Sequence, residues 1–440
     1  MSAHAHRTPV RRGACPGLSA PMPTGDGLLA RLTPIDTMTL AEFKHFCAAA
    51  RTHGNGVVEV SARGSIQVRG LSAVSADQFA AEIAALRIAS EDTVPILCNP
   101  LSGIDTEEIF DVTPLARELR RILATRPAAL RLNAKVSVVI DGGGRFDLAG
   151  VPADIRLTAE VVNGETLLRL AAGGDDASAV ALGSVAPKHG VEAVRRLLSV
   201  LAERRRNARA RDIIAADGAA VFHKALSSSP TLLHAPATAD RDKDFRDRKA
   251  PCRNGRSIAL HQLRDGSLAC GLGLAFGHAD AGALERLADA AATAGARGLR
   301  AVPGRTLLVI GLSEQSGAGF IAAAEQLGFV TRADDPRLQV LACAGAPLCS
   351  SAYIAARAMA PRIAATAAPY LAGEAVIHIS GCAKGCAHPD AAALTVVGAA
   401  SDCALVANGS ARDAPFATTP LSELPAAIER YLREREAANV

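Results

Sequence analysis

The chain has 440 residues, of which 49% are hydrophobic and 21% charged, and this composition excludes a collagen, a coiled coil and an intrinsically disordered protein. The 48 Lys and Arg residues nearly balance the 44 Asp and Glu residues, which gives a formal net charge of +4. With 11 Phe, 3 Tyr and no Trp, the chain lacks the basic excess and the aromatic side chains typical of nucleic-acid-binding proteins, so we expect no nucleic-acid partner.

The N-terminal segment Met1 to Gly17 contains arginines but no apolar stretch behind them, so we expect no secretory signal. No segment approaches the roughly 18 consecutive apolar residues of a membrane helix, and we therefore expect no membrane partner. These features predict a cytoplasmic protein, in which thiols stay reduced. The ten cysteines must then serve a purpose other than disulfide bonding.

A long internal repeat organises the chain. Residues 54–71 align with residues 295–312 at a constant offset of 241 and without a gap, and both segments begin with Gly and end with Gly-Leu. In each copy an apolar run is interrupted by Arg-Gly or Gly-Arg, which predicts two strands joined by a tight turn. The helical spacing of apolar residues in 40–50 and 283–294 predicts a helix before each hairpin.

The repeat continues with small shifts in offset. Residues 97–98 align with 342–343, residues 135–143 with 375–383, and residues 154–158 with 390–395. Each copy is thus predicted to contain a strand, helix and hairpin layer, followed by a layer built around a buried strand that ends in a glycine-rich loop. This pattern predicts a duplicated α+β fold and not a doubly wound sheet.

The glycine-rich segment 271–277 has the wrong spacing for a dinucleotide-binding loop, and we interpret it as the first strand of the second copy. Residues 420–438 have apolar residues four apart and predict an amphipathic closing helix. Between the copies, residues 203–257 are rich in charged residues, Pro and Ser, which predicts an exposed linker. The predicted divisions of the chain are 1–90, 91–202, the linker 203–257, 258–335 and 336–440.

Four cysteines form two close pairs, and the other six are scattered. The pairs are Cys343-x5-Cys349 and Cys382-x3-Cys386. The five-residue gap of the first pair fits a structural zinc site poorly. Four thiolates without a nearby carboxylate favour an electron-carrying [4Fe-4S] cluster. The alternative is that these cysteines are small buried hydrophobic residues.

Glycines support the cluster interpretation. Gly381 and Gly385 directly precede Cys382 and Cys386, and glycine lets backbone N–H groups turn towards sulfur without a clash from a Cβ atom. Such donors tune the potential of a cluster.

The spacing C-x5-C, followed some thirty residues later by GC-x2-GC, resembles the cluster motif of the nitrite and sulfite reductase family. The resemblance extends over nearly the whole chain, from about residue 25 to residue 419. It implies two pseudo-symmetric halves, each with a ferredoxin-like half-domain and an α/β domain of the cluster and tetrapyrrole type. Segments 12–32 and 380–390 are most similar to one branch, the precorrin-3B synthases.

Membership of this branch implies an oxygen-dependent monooxygenase of aerobic cobalamin biosynthesis. Its substrates are precorrin-3A and O2, and the reaction is hydroxylation of the macrocycle with closure of a γ-lactone. The resemblance also implies a [4Fe-4S] cluster and a mononuclear non-haem iron. Electrons derived from NADH would reach this enzyme through a separate donor protein, because no nicotinamide or flavin domain is left over in the sequence.

Basic residues match part of the tetrapyrrole site of the reductases. Arg63 aligns with an arginine that binds a sirohaem carboxylate in that family, and strand alternation places Gln67 and Arg69 on the same face as Arg63. Arg31 is a further candidate for a carboxylate contact.

Other positions depart from the family pattern. Lys135 matches the second lysine of a K-x-K pair, but Asn133 replaces the first one, and Gly304 replaces Arg63 in the second copy. These losses argue against permanent sirohaem and favour a site that releases its tetrapyrrole. Cys386 matches the cysteine that bridges cluster and sirohaem, so we expect it to lie nearest the substrate.

Two alternatives remain open at this point. One is a sirohaem-dependent assimilatory sulfite or nitrite reductase. The other is a non-catalytic protein, either a tetrapyrrole carrier or a protein whose cluster only stabilises the fold. The catalytic residues and the ligands of an oxygen-activating iron stay unassigned. His388, near the cluster loop, is a candidate for metal ligation or for a hydrogen bond to a sulfur or to the substrate. His378, in a strand-like segment, is interpreted as a core histidine with satisfied hydrogen bonds.

Overall fold

In the described part of the chain, four five-stranded sheets and the helices packed on them form the computed structural model of the protein. The structure describes residues 16–91, 94–125, 132–204, 208–227, 257–371 and 376–438. The strands are β1 Met22–Thr24, β2 Gly27–Leu32, β3 Met38–Thr39, β4 Val57–Val60, β5 Ile66–Leu71, β6 Ile96–Cys98, β7 Val138–Asp141, β8 Ala153–Val162, β9 Glu165–Gly174, β10 Val180–Val185, β11 Leu260–Gln262, β12 Leu268–Gly273, β13 His278–Asp280, β14 Gly298–Val302, β15 Thr306–Leu312, β16 Val340–Ala342, β17 Ile377–Ser380, β18 Ala392–Gly398, β19 Asp402–Gly409 and β20 Ala417–Pro420.

The α-helices lie between these strands. They are α1 Leu40–His53, α2 Ala73–Ala85, α3 Thr113–Thr125, α4 Gly190–Glu203, α5 Ala210–Asp217, α6 Ala220–Ser227, α7 Ala281–Thr293, α8 Glu314–Gln326, α9 Ala356–Ala367 and α10 Leu424–Ala438. Within the described ranges, no helix combines the length and apolar character needed to span a bilayer.

The chain divides into two compact units. The first consists of Met1–Ala89, Cys252–His261 and Leu268–Val440, and the second of Ser90–Pro251 and Gln262–Ser267. The finer division into five parts stays a prediction.

The predicted repeat is present in the strand orders. In the first unit, one sheet has the order β1-β2-β5-β4-β13 and the next has the order β11-β12-β15-β14-β3. The predicted hairpins are confirmed as β4–β5 and β14–β15, and the predicted helices before them as α1 and α7. A third sheet of this unit, β16 to β20, repeats the order and pairing directions of the second unit's sheet, β6 to β10.

The first two sheets exchange their edge strands. Strand β3 of the first copy pairs with β14 of the second copy, and β13 of the second copy pairs with β4 of the first. The exchanged strands obey the offset of 241, because Thr39 and Asp280 each end one strand and cap the following helix. The Thr39 hydroxyl accepts a hydrogen bond from the Glu42 amide, and the Asp280 carboxylate accepts one from the Ala283 amide.

The two capped helices pack together and close a shared core. Lys44 of α1 lies 2.6 Å from Asp289 of α7, and Phe43 and Leu287 are fully buried in the core between the sheets and helices. One hydrophobic core therefore stabilises both copies.

Part of the predicted linker differs from the expectation. Helices α5 and α6 lie within 203–257, and Phe222 and Leu226 of α6 are fully buried in the core of the second unit. These helices were not predicted, because their few apolar residues lie among many charged ones in the sequence. Residues 228–256 of the predicted linker lie outside the described residues.

The exchange can be tested at Gly298, where β14 meets β3. A Cβ atom there would lie 2.4 Å from the Met38 carbonyl oxygen, which is backbone and cannot move aside cheaply. We expect Gly298→Ala to lower the free energy of unfolding by about 1–3 kcal/mol, measured from the midpoint of urea denaturation.

The matched control is Gly319→Ala on the exposed side of α8, where a Cβ atom would meet nothing within 4 Å. Because alanine is the better helix former, this substitution should raise stability by up to about 1 kcal/mol. Equal effects of the two substitutions would contradict the exchange.

Candidate functional site

The four paired cysteines follow the ends of two neighbouring strands. Strands β16 and β17 are parallel partners, so the loops that leave their carboxyl ends start at the same edge of the sheet. Cys343 directly follows β16, and Cys382 follows Gly381 after β17. The topology thus places both cysteine loops side by side.

The four thiols lie close together. Burial is the main cause of a raised pKa of Cys343 and of Cys386, and the nearby cysteines add to both shifts. The pKa of Cys343 responds to Cys349 and Cys382, and the pKa of Cys386 responds to the other three. The two pairs therefore influence each other electrostatically, and all eight cysteines in the described part of the chain are free thiols.

The backbone around the thiols forms a cradle. The Gly381 amide donates a hydrogen bond to Cys343 Sγ at 3.1 Å, as a ligand-tuning donor would. A Cβ atom at Gly25 would lie only 2.3 Å from Cys349 Sγ, so this close approach requires glycine. Gly345 and Gly385 have φ angles of 66° and 65°, which glycine adopts without strain.

The chemistry of these residues suits an iron–sulfur cluster. Four thiol side chains, with a backbone N–H donor to one sulfur, are the donor set that holds a [4Fe-4S] cluster. Among the described residues, no three His, Cys, Asp or Glu side chains form a group that would hold a single metal ion.

A row of polar side chains crosses the first sheet. Arg31 of β2, Gln67 of β5, Glu59 of β4 and His278 of β13 are partners in register from strand to strand. Neighbours such as Val68 point to the opposite face, into the core under the helices. The sheet thus has one apolar face and one polar face, because side chains alternate along a strand.

Arg69 lies two residues beyond Gln67 on this polar face. Its guanidinium donates to both carboxylate oxygens of Asp26, at 2.8 and 2.7 Å, and also lies 3.5 Å from Glu59. Burial opposes the ionisation of Asp26, but the hydrogen bonds and the charge of Arg69 hold the pKa of this carboxyl below its usual value. All three nitrogens of the Arg69 guanidinium are therefore engaged by carboxylates of the chain.

Arg357 completes this network and was not identified from the sequence. It follows the first cysteine loop at the start of α9 and donates to Glu59 Oε1 at 2.5 Å. Its Nε and Nη1 atoms are buried and have no hydrogen-bond partner in the part of the chain that the structure describes. Only the fold brings this arginine to the sheet, so its position in the sequence carries no signal.

The predicted tetrapyrrole contacts divide between the two units. The first unit brings Arg31, Gln67 and Arg69 onto one face and places Arg63 in the exposed hairpin turn, where its backbone bridges to Pro303. Lys135 is exposed in the second unit, just before β7.

His378 differs from its interpretation as a satisfied core histidine. It is fully buried on β17, but neither ring nitrogen has a hydrogen-bond partner among the described groups. Burial, with smaller effects of His388 and Arg305, lowers its pKa to about 3, so the ring is neutral at pH 7. His388 lies close by, with its ring centroid 5.8 Å from that of His378.

The corresponding loops of the second unit hold a polar network. Cys98 aligns with Cys343, but the next residue, Asn99, donates to Asp141 at 2.8 Å and accepts from the Gly142 amide at 2.6 Å. Burial raises the pKa of Asp141. Of the two copies, the one in the first unit therefore carries the four-cysteine arrangement.

Two known proteins are similar to this chain over most of its length. No family model matches the chain. A precorrin-3B synthase from Sinorhizobium sp. is 38% identical over 425 residues, which cover 96% of this chain and 89% of that protein. The solved structure of the Mycobacterium tuberculosis NirA protein is similar with a TM-score of 0.71 at 19% identity, covering 92% of this chain and 80% of NirA.

The similarity to NirA confirms the predicted fold class, a duplicated fold of the nitrite and sulfite reductase type. The sequence identity to the Sinorhizobium protein extends over almost the entire chain and shows to which family with this fold the chain belongs. The chain belongs to the precorrin-3B synthase family.

Proposed function

We propose that the protein is an oxygen-dependent monooxygenase that hydroxylates precorrin-3A and forms the γ-lactone of precorrin-3B in aerobic cobalamin biosynthesis. The observation that carries this proposal is the convergence of four thiols beside a polar sheet face in a member of this family. The similarity to NirA alone would equally suit a sirohaem-dependent reductase, whereas the closer relative favours the synthase.

Cys343, Cys349, Cys382 and Cys386 are proposed to hold a [4Fe-4S] cluster. Such a cluster supplies single electrons at a potential set by its hydrogen bonds and surroundings. The chain contributes the Gly381 N–H donor and the positive charge of Arg69, which lowers the cost of negative charge at Cys386.

Precorrin-3A is proposed to bind on the polar face of the first sheet. Its carboxylates require cationic and amide donors, which Arg31, Gln67 and the hairpin residue Arg63 supply. We assign Arg69 to the same face in a supporting role, because Asp26 and Glu59 engage its guanidinium. From the family motif alone, Lys135 of the second unit is proposed as a carboxylate-binding residue.

The remaining requirements are met from outside the chain. Hydroxylation with O2 consumes two electrons and two protons and releases one oxygen atom as water. We propose that a separate protein delivers the electrons from NADH, since segment 271–277 forms β12 and the turn after it, not a dinucleotide-binding loop. The free thiols and the proposed cluster favour a reducing, cytoplasmic location.

The composition of the purified protein tests this proposal. Iron, sulfide and extractable tetrapyrrole should be measured on protein purified without air. We expect four irons with matching sulfide per chain from the cluster, any mononuclear iron in addition, and no sirohaem. Stoichiometric sirohaem with reduction of sulfite or nitrite would favour the reductase instead.

Cysteine variants test the cluster ligands. Cys343→Ser should lose most of the iron and sulfide, because serine is a poor ligand for the soft cluster iron. The matched control is Cys98→Ser, which changes the aligned position of the other copy and should retain the wild-type iron content. Equal retention in both variants would contradict the assignment of Cys343.

Substitution of Arg31 tests the proposed substrate face. Arg31→Gln should raise the Kd of precorrin-3A about tenfold or more, because a charge-assisted hydrogen bond contributes about 1.5–3 kcal/mol. Binding can be followed by the absorption spectrum of the tetrapyrrole in the absence of O2.

Arg332→Gln is the matched control, since Arg332 is exposed, pairs with Asp334 and is not part of the strands of this face. It should leave the Kd unchanged. An unchanged Kd for Arg31→Gln as well would remove Arg31 from the substrate site.

A further inference from the structure

The two copies of the internal repeat carry different residues at the position of Arg305. By the offset of 241, Arg305 in the turn of the second hairpin corresponds to Gly64 in the turn of the first. Both residues have a positive φ angle, 81° for Gly64 and 60° for Arg305. The first copy thus uses glycine in a left-handed conformation, where the second copy uses arginine.

An arginine is strained in this conformation. Glycine adopts a positive φ freely, and Asn or Asp do so more readily than other residues with a Cβ atom. Residues held in such conformations persist when their surroundings stabilise them, and they are enriched at functional sites. The side chain of Arg305 is therefore the place to look for a compensating interaction.

The side chain of Arg305 reaches the second cysteine loop. Its Nη2 atom donates to the carbonyl oxygen of Ala387 at 2.9 Å, and Ala387 directly follows Cys386. On its way to this loop, the Arg305 side chain passes Gly277, where a Cβ atom would lie 3.1 Å from Arg305 Cδ. The glycine at position 277 therefore leaves space for the Arg305 side chain.

Nearby negative charges favour the position of the Arg305 guanidinium beside the cysteine loop. Burial lowers the pKa of its guanidinium, but the negative charges of Glu59 and Asp390 act in the opposite direction. Asp390 belongs to the segment that follows Cys386, and Glu59 lies on the polar face of the first sheet. Arg305 thus lies between the cysteine loop and the proposed substrate face.

A positive φ angle at an arginine does not by itself indicate a functional role, as Arg87 shows. Arg87 also has a positive φ angle, 53°, but it follows the C-terminus of α2 and its amide donates to the Ala84 carbonyl. A left-handed residue after a helix is common, and the Arg87 side chain is exposed.

We propose that Arg305 is a positioning residue, which holds the Cys386 side of the cluster loop in place through the Ala387 carbonyl. This inference rests on the proposed function, because it assigns Cys386 as a cluster ligand. It predicts that the strain at position 305 is tolerated for the sake of the cluster and not for the stability of the fold.

The test compares Arg305→Gly, Arg305→Lys and the control Arg87→Gly in the full chain, first loaded with the cluster and then after its removal. Arg305→Gly restores the residue of the first copy and relieves the backbone, so its thermal unfolding midpoint without the cluster should not fall below that of the wild type. It should nevertheless release iron to a chelator about tenfold more readily, as expected when an outer partner of a ligand is lost. Its cluster should also show a shifted reduction potential.

The other two variants separate positioning from packing. Arg305→Lys keeps one cationic donor and should restore part of the iron retention. Arg87→Gly makes the same chemical change at another left-handed position and should retain the wild-type potential and iron retention.

The inference is overturned if Arg305→Gly keeps both the wild-type potential and the wild-type iron retention. It is also overturned if Arg305→Gly loses iron only together with a lowered unfolding midpoint that Arg305→Lys does not restore. Absence of iron and sulfide from the wild-type protein would instead overturn the proposed function and the inference together.

Discussion

The exchange of two short strands is the constraint on which the first unit depends. Each of β3 and β13 completes the sheet of the other copy and leads directly into a capped helix. The two hairpin turns consequently meet, and the Gly304 amide donates to the Ala62 carbonyl at 3.1 Å. The arrangement also places His278 beside Glu59 at the end of the polar row.

Charge balance explains how so many ionic groups can be buried on one sheet face. Asp26, Arg69, Glu59 and Arg357 form a connected group with two negative and two positive charges. A buried charge is tolerated when it is paired and hydrogen-bonded. His278 adds no charge at pH 7, because burial and the nearby Arg357 lower its pKa to about 4.

The duplicated fold uses its two copies differently. The same strand ends carry four cysteines in the first unit and the buried Asn99 and Asp141 network in the second unit. Likewise, the hairpin turns carry Gly64 in one copy and Arg305 in the other. Duplication therefore supplied equivalent backbone positions, and side-chain differences made one copy a candidate redox centre.

Much of the fold could be predicted from the sequence because its signals are local. The hairpins and helices follow from periodicity at the fixed offset, and the cysteine pairs lie within a few residues of each other. Strands β3 and β13 have only two and three residues, too few for an alternating pattern, so their exchange could not be predicted. Arg357 was missed because it meets Glu59, a residue distant in sequence, only in the folded chain.

The most direct measurement of the central claim is the fate of oxygen in the product. Cluster-loaded protein would be supplied with precorrin-3A, a chemical reductant and isotopically labelled O2, and the tetrapyrrole analysed by mass spectrometry. The account predicts a lactone product that contains one labelled oxygen atom and that does not form without O2. An unchanged tetrapyrrole, or a product whose new oxygen comes from water, would contradict it.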